Sequence, residues 1–543
     1  MSEVNNFVWL WDNACGIRAR ILFSGLTGIL RVACGLGFIY ISKELVDMAT
    51  GSVPGALSQY VVWMVLLVLG GIVCNSVVGW MTGLTEIKAQ NVLRQRLFED
   101  VLQSRWTGRE PFHSGDVQSR LGADIRNVVS LLAVSVPSLV VTCSQLLGSF
   151  FFLERLDGTL ARILVSGMFV FLFFGKIYAK RMRRLTHGVR SGESAVQSLT
   201  QESVQYRMVI KTLEGTCTIG NRLSELQSVL YNRVKCRTCF SVFSRMLLSS
   251  GIAGGYLLAF TWGAFQLQEG AITFGVMTAF LQLVGQIQRP ILDLIRLVPT
   301  LTTALASMDR LRELEALVPE EQGLPALLGD NIGLKLCDVC FSYDDRRVLE
   351  RFSYDFVPGS VTAVLGPTGT GKTTLVRLIL ALIRPQKGKV MLYGSQGEVE
   401  ASALTRGNFV YVPQGNTLFS GTIRENLLLG NPDAGEQQMR NALYSAAAEF
   451  VYMLPRGLDT RCGEQGSGLS EGQVQRLAIA RSLLRSGTVL LLDEISSALD
   501  TATEKLLLRR LIRHCKGRTV IFITHREDIT KGCDKLVLRP DSF

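Results

Sequence analysis

The sequence predicts a multi-pass α-helical membrane domain, six transmembrane helices with long intracellular extensions, followed by an α/β P-loop domain. Three observations carry that reading. Of 543 residues 48% are hydrophobic, and the apolar residues crowd into long runs in the first three-fifths of the chain. Six of those runs reach the roughly 20 residues needed to cross a hydrocarbon core. The last two-fifths alternate short β-type runs with helical patterns around one glycine-rich loop, Gly366 to Thr374. A chain of this length exceeds a single domain. Residues 1–318 are assigned to the membrane part, 319–332 to a linker and 333–543 to the soluble part.

In chain order, Phe7, Trp9 and Trp11 followed by Arg18 and Arg20 read as a short interfacial helix leading into a retained first span. The spans are expected at Ile21–Val46, Tyr60–Met81, Val129–Leu153, Leu160–Tyr178, Phe243–Leu267 and Ile272–Val298. Their connections alternate in length. Thr50–Pro54, Glu154–Gly158 and Gln268–Gly270 are tight turns, whereas residues 82–127 and 179–238 are long, polar and helical in pattern. The long connections carry Arg94, Arg96, Lys180, Arg181, Arg183 and Arg184, which places them and both termini in the cytoplasm. The same bias accounts for the net charge of +11 without a nucleic-acid partner. Each extension must turn at a tip, the first at Pro111–Gly115 and the second within Glu202–Thr212, and such tips are expected to meet the soluble domain. In span six, Arg289, Asp293 and Arg296 are spaced for a structural ion pair. Arg31 in span one and Arg245 at the start of span five have no acid at helical spacing; facing a cavity, they would favour an anionic or amphiphilic cargo.

After span six, Met308–Leu317 continues as an amphipathic helix until Pro319–Pro325 breaks it. Strands are expected at Val361–Leu365, Phe409–Val412, Val489–Leu492 and Val520–Thr524. Gly366-Pro367-Thr368-Gly369-Thr370-Gly371-Lys372-Thr373-Thr374 fits G-x-x-x-x-G-K-[ST], between a strand and a helix. Glycines let the loop turn its backbone N–H groups on a phosphate, and the helix start adds its positive dipole end. Lys372 is the candidate for the β- and γ-phosphates of a nucleotide and Thr373 for Mg²⁺. Val489–Leu492 ends in Asp493 and Glu494, one carboxylate for Mg²⁺ and one to polarise an attacking water. The twelve cysteines include two C-x-x-C pairs, Cys236/Cys239 and Cys337/Cys340, without zinc spacing, and read as free thiols in a reducing compartment.

Leu469-Ser470-Glu471-Gly472-Gln473 opens a further helix. With the loop and the carboxylate strand it resembles the signature of the ABC transporters. Glu471 stands where that family usually has glycine, and it is expected to point outwards, away from the γ-phosphate. In the same resemblance Tyr343 corresponds to the adenine-stacking aromatic, Gln414 to the glutamine that meets Mg²⁺ and senses the membrane domain, and Ser470, Gly472 and Gln473 to ATP contacts. Asp500, in Ser497–Asp500, corresponds to the loop that communicates across a dimer, and His525 to the switch histidine. Thr460–Gly466 resembles the exporter loop that meets the coupling helices. The likeness is specific throughout the soluble domain and looser across the membrane part, where His113–Arg120 carries it.

The resemblance implies an exporter-type half-transporter with a P-loop ATPase domain, ATP and Mg²⁺ as cofactors, and Glu494, His525 and Lys372 as catalytic groups. Its partners would be a second copy or a related half-transporter, membrane lipid and an unidentified lipid, drug or peptide-like substrate. The expected location is a cell membrane, that of a bacterial cytoplasm. Two other classes share these motifs. An importer on the same fold would differ only in transport direction, and a non-transporting membrane regulator would lack substrate-stimulated ATPase activity.

Overall fold

The computed structural model describes residues 9–12, 16–106, 112, 114–343, 346–367, 369–415, 417–463, 468–495, 499–515, 517–524 and 534–538. For 114, 164–165, 167–177, 179, 289, 291–292, 295–296 and 298 it describes the backbone alone. The chain divides into two compact units, residues 1–99 with 114–316, and residues 100–113 with 317–543.

The first unit is a succession of long helices. α1 spans Arg18–Ala49, α2 Leu57–Gln103 and α3 Gly115–Leu156. α4 spans Gly158–Gln205, a short α5 Arg207–Thr212, α6 Thr216–Gln268 and α7 Phe274–Glu315. The six expected apolar runs fall on the six long helices. α2, α4 and α6 reach 47, 48 and 53 residues. At 1.5 Å per residue they are roughly 70–80 Å long, more than twice a ~30 Å hydrocarbon core. Among the described residues, α1, α2, α3 and α6 are long and apolar enough to cross a membrane. The apolar stretches of α4 and α7 rest partly on residues described by backbone alone.

Short turns between these helices are fixed by carboxylates. Asp157 caps α4, its Oδ1 accepting from the N–H groups of Thr159 and Leu160 at 2.8 and 3.1 Å. Its Oδ2 accepts from Trp262 Nε1 of α6 at 2.7 Å. Asp47, buried near the end of α1, pairs with Lys43 at 3.2 Å and accepts from the Gly275 N–H of α7 at 2.8 Å. A Cβ on Gly275 would lie 2.3 Å from the Lys43 carbonyl oxygen, so that approach requires glycine. Two π-helical turns, Arg120–Asp124 and Leu131–Ser135, interrupt α3. The first aims buried Arg120 at Asp116 and Glu313, at 2.9 and 2.7 Å, and buried Asp124 at Ser307 and Arg310, at 2.8 and 2.5 Å. The periodicity of an unbroken helix would not have suggested that turn.

The second unit has two sheets. β1 (Gly333–Tyr343), β2 (Arg346–Phe356), β4 (Lys387–Gly394) and β5 (Gly397–Glu400) form an antiparallel sheet ordered β2-β1-β4-β5. β3 (Val361–Leu365), β6 (Phe409–Val412), β9 (Val489–Asp493), β10 (Thr519–Thr524) and β11 (Asp534–Val537) form a parallel sheet ordered β11-β3-β10-β9-β6. Two-residue strands β7 (Gly421–Thr422) and β8 (Arg461–Cys462) pair separately. The helices are α8 (Lys372–Ile379), α9 (Ile423–Leu428), α10 (Glu436–Ser445), α11 (Glu471–Leu483) and α12 (Thr501–His514). The four strand runs read from the sequence become β3, β6, β9 and β10. All residues of β9 and β10 are buried, as expected of a parallel sheet covered on both faces.

The end of α2 belongs to this second unit. Ser104 bridges to Pro319, the Arg105 N–H donates to the Val318 carbonyl, and the Glu320 N–H donates to the Gln103 carbonyl, both at 2.8 Å. Arg406 then grips Glu320 through two bonds of 2.6 and 2.8 Å and also donates to the carbonyls of Leu380 and Ala381. The proline-broken stretch after α7 is therefore pinned at both sides. Pro111 and His113 of the expected first tip lie outside the described residues.

Candidate functional site

The glycine-rich loop joins β3 to α8. Gly369 and Gly371 have φ of +89° and +79°, in the left-handed region that glycine tolerates. A Cβ on Gly371 would also stand 2.9 Å from Val348 Cγ1. Thr370 Oγ1 donates to the Pro367 carbonyl at 2.8 Å and fixes the turn. Gly371 caps α8 with no side-chain hydrogen bond, which leaves the N–H groups of its first turn for an anion. Lys372 is buried, and its Nζ donates to the Gly366 and Pro367 carbonyls at 2.5 and 3.2 Å. The ammonium thus sits across its own loop. Thr373 is exposed at the helix start and Thr374 is buried beneath it. Thr368 lies outside the described residues.

β9 delivers Asp493, buried, and then Glu494. Burial, then the neighbouring Glu494 charge, pushes the Asp493 carboxyl up to about 6, against the pull of Lys372 and Arg377. Glu494 has φ of +46°, a strained position for a residue with a side chain, held by its N–H on the Ile523 carbonyl at 3.0 Å. Its carbonyl accepts from Gln475 Nε2 of α11 at 3.1 Å, and its carboxylate accepts from Gln414 Nε2 at 2.5 Å. The structure therefore brings Gln414 and Glu494 together at the end of the parallel sheet. Thr373, Asp493, Glu494 and Gln414 all offer hard oxygen donors, a set whose chemistry fits Mg²⁺.

Tyr343 ends β1 with Phe341 edge-on at 4.8 Å, and its hydroxyl accepts from Arg377 Nη1 at 3.0 Å. Arg377, on α8, also lies over the Trp106 ring at 4.5 Å. The hydrogen bond and the cation–π contact together fix the tyrosine hydroxyl. The sequence reading missed Trp106, Arg377 and Gln475. Arg377 lies one turn and a half along the loop helix from Lys372, the signal that could have flagged it.

The helix start at Ser470 is a capping box. Ser470 Oγ accepts from the Gln473 N–H at 3.3 Å, and the Ser470 N–H donates to Gln473 Oε1 at 2.9 Å. Gly472 follows in the first turn, and Glu471 beside it is exposed. Asp500 caps α12 through the Thr503 N–H at 3.0 Å, and that bond holds its carboxyl below the usual range. His525, Ser497 and Glu464–Gly466 lie outside the described residues. In the first unit, Arg31 lines a cavity and bonds Asn75, while Arg245 is exposed on α6 and is not among the residues lining that cavity.

Residues 349–497 match a family model described as ABC transporter, and residues 21–291 match one described as ABC transporter transmembrane region. The chain is 30% identical over 433 residues to the Uncharacterized ABC transporter ATP-binding protein YfiC of Bacillus subtilis (strain 168), covering 78% of this chain and 71% of that protein. It is 28% identical over 514 residues to the ATP-dependent lipid A-core flippase of Bordetella avium (strain 197N), covering 92% and 85%. It is 27% identical over 520 residues to the Serine protease/ABC transporter B family protein tagA of Dictyostelium discoideum, covering 94% of this chain and 30% of that longer protein. A solved structure of a bacterial Atm1-family ABC exporter with ATP bound matches with a TM-score of 0.81 at 23% identity, over 97% of this chain and 94% of that one.

Proposed function

The chain belongs to the ABC transporter family, and on that premise we propose that two copies of it export a lipid, drug or peptide-like substrate by alternating access. It is an ATP-binding, exporter-type membrane ATPase. The observation that carries the proposal is that each nucleotide-site component occurs once. One P-loop, one carboxylate strand and one signature helix share a chain with one set of long helices. A transporter of this family uses two nucleotide domains, so a second copy supplies the other half. The exposed α5 tip supports the pairing. Met208 is 80% and Leu213 74% accessible, and a tip of that composition suits burial against the other copy's soluble unit.

In the proposed cycle ATP lies between the P-loop of one copy and Ser470, Gly472 and Gln473 of the other, with Tyr343 stacking on the adenine. Lys372 exchanges the carbonyls of Gly366 and Pro367 for phosphate oxygens, and the N–H groups of α8 hold the same phosphates. Thr373, Asp493 and Gln414 would hold Mg²⁺, which when bound would supply charge neutralisation at the phosphates. Glu494 gives up its bond from Gln414 and polarises a water. The water oxygen bonds the γ-phosphorus and its proton passes to Glu494, as the bond from that phosphorus to the bridging oxygen breaks and ADP leaves with the electron pair. His525 contacts the γ-phosphate, and Asp500 reports to the other copy. Because ATP binds the closed pair best, closure and release drive the membrane helices between two arrangements.

The proposal is tested in proteoliposomes whose nucleotide-binding units face outwards. ATP added outside is expected to drive accumulation of at least one probe from a panel of labelled lipids, drugs and peptides, and Lys372→Ala is expected to abolish it. Intact ATPase activity with no ATP-dependent movement of any probe would contradict the transport reading.

A further inference from the structure

The first unit holds an open cavity of about 590 Å³ lined by α1, α2, α3 and α7. That volume is in the range of small-molecule sites. Its wall is divided by chemistry. Phe38, Leu67 and Ile72 supply apolar surface, while Arg31, Asn75 and Gln286 bring polar groups together.

Arg31 interrupts an apolar run on α1, between Leu30 and Val32. It stands ten residues past Ile21, where the apolar run of α1 opens, or roughly 15 Å along the helix. Half of a ~30 Å hydrocarbon core is about the same distance, so the side chain is too deep to reach the headgroups by extending along the helix. A guanidinium cannot shed its charge and offers five N–H donors. One of them meets Asn75 Oδ1 at 2.8 Å. Among the described residues Arg31 has no ion pair, and Asp293, which also lines the cavity, has an interaction of its own. Elsewhere in the lining, Gln145 of α3 donates to the side-chain oxygen of Gln286 and to its backbone carbonyl, the latter at 3.3 Å. That bond turns the Gln286 oxygen away as an acceptor already used. The Gln286 N–H donors have no partner among the described residues.

We propose that this cavity binds the anionic headgroup, phosphate or carboxylate, of an amphiphile, with Arg31 and the Gln286 amide on the anion and Phe38, Leu67 and Ile72 against the chain. A charge within a membrane span is costly and marks a ligand or ion site where no protein group balances it. The remaining Arg31 donors and the Gln286 amide offer an oxyanion several bonds. The assignment rests on the transport reading only for its role as cargo; the binding chemistry stands independently of it.

The test uses the full-length protein in phosphatidylcholine nanodiscs, without ATP. Dioctanoyl phosphatidic acid is titrated and compared with dioctanoyl phosphatidylcholine and a cationic amphiphile of equal chain length. Wild type is expected to prefer the phosphatidic acid. Arg31→Gln is expected to raise its Kd at least tenfold, with Arg31→Lys restoring most of the affinity. Nucleotide affinity of the soluble unit confirms that each variant is folded, and Gln286→Leu, expected to weaken the same probe severalfold, replaces Arg31→Gln if that chain does not fold. Competition by glycerol phosphate at equal concentration assigns the site to soluble anions, and its absence assigns it to lipids; both outcomes uphold an anion site. Unchanged phosphatidic acid affinity in folded Arg31→Gln, or a preference for the cationic probe, would overturn it. Arg31-dependent binding without ATP-driven flux would leave the site standing and remove the transport reading, whereas flux indifferent to Arg31 would do the reverse.

Discussion

At the scale of single residues, the proposed chemistry turns on Glu494. Its backbone is held at φ +46° by the Ile523 carbonyl and Gln475, and its carboxylate is held by Gln414. Glu494→Gln keeps the shape and loses the ability to polarise water. Steady-state phosphate release is expected to fall about 100-fold or more, with ATP affinity retained. Hydrolysis near the wild-type rate would remove Glu494 from that role. A second residue gives a pH signature. Burial pushes the Cys515 thiol from its ordinary 9.0 up to about 11, so the folded unit retains a proton that the unfolded chain loses. Stability contributed by the neutral thiol is therefore present below pH 9 and is lost as pH rises towards 11, by about 3 kcal/mol when complete. Chemical denaturation between pH 8.5 and 10.5 is expected to show a shallower decline for Cys515→Ala than for wild type. Parallel declines would show that Cys515 does not titrate on unfolding. Neither feature could be read in the sequence, because burial and left-handed backbone come from packing around β9 and α12.

At the scale of elements, the strand–loop–helix around Lys372 was legible from its glycine spacing and its apolar flanks. The structure adds why Gly371 cannot be replaced, with φ at +79° and Val348 at 2.9 Å from any Cβ. Gly371→Ala is expected to destabilise the soluble unit by about 1–3 kcal/mol and to weaken ATP binding at least tenfold. Thermal unfolding with nucleotide titration checks both, and wild-type affinity in the variant would show that the loop tolerates a side chain. The Trp106–Arg377–Tyr343 contact chain was illegible, since residues far apart in sequence carry no shared period. It ties the chain beyond α2 to the expected base platform. Trp106→Ala is therefore expected to weaken ATP binding severalfold, with Trp106→Phe less affected; equal affinities in all three would make the contact chain structural only. The two π-turns of α3 escaped for another reason. A single inserted residue shifts which face is buried without changing the apolar content of the run.

At the scale of the whole molecule, the sequence revealed the two-part architecture because spans and parallel strands have different periods and lengths. It did not reveal that residues 100–106 side with the soluble unit, because residues 100–103 simply continue α2. The cavity wall was only partly foreseen. Arg31 stood out as a charge in an apolar run, whereas Asn75, Gln145 and Gln286 are neutral and gain meaning only from their meeting. The central claim is that one nucleotide site needs two copies of the chain, the P-loop of one and the Ser470 helix of the other. Complementation tests it most directly. Lys372→Ala and Ser470→Arg, each placed in a Glu494→Gln chain so that bound ATP is not consumed, are purified alone and reassembled as a mixture, and ATP retained after gel filtration is measured. Each variant alone is predicted to retain none, and the mixture is predicted to retain ATP, because a mixed pair contains one intact P-loop facing one intact Ser470. A mixture that retains no more ATP than its separate components would contradict the account.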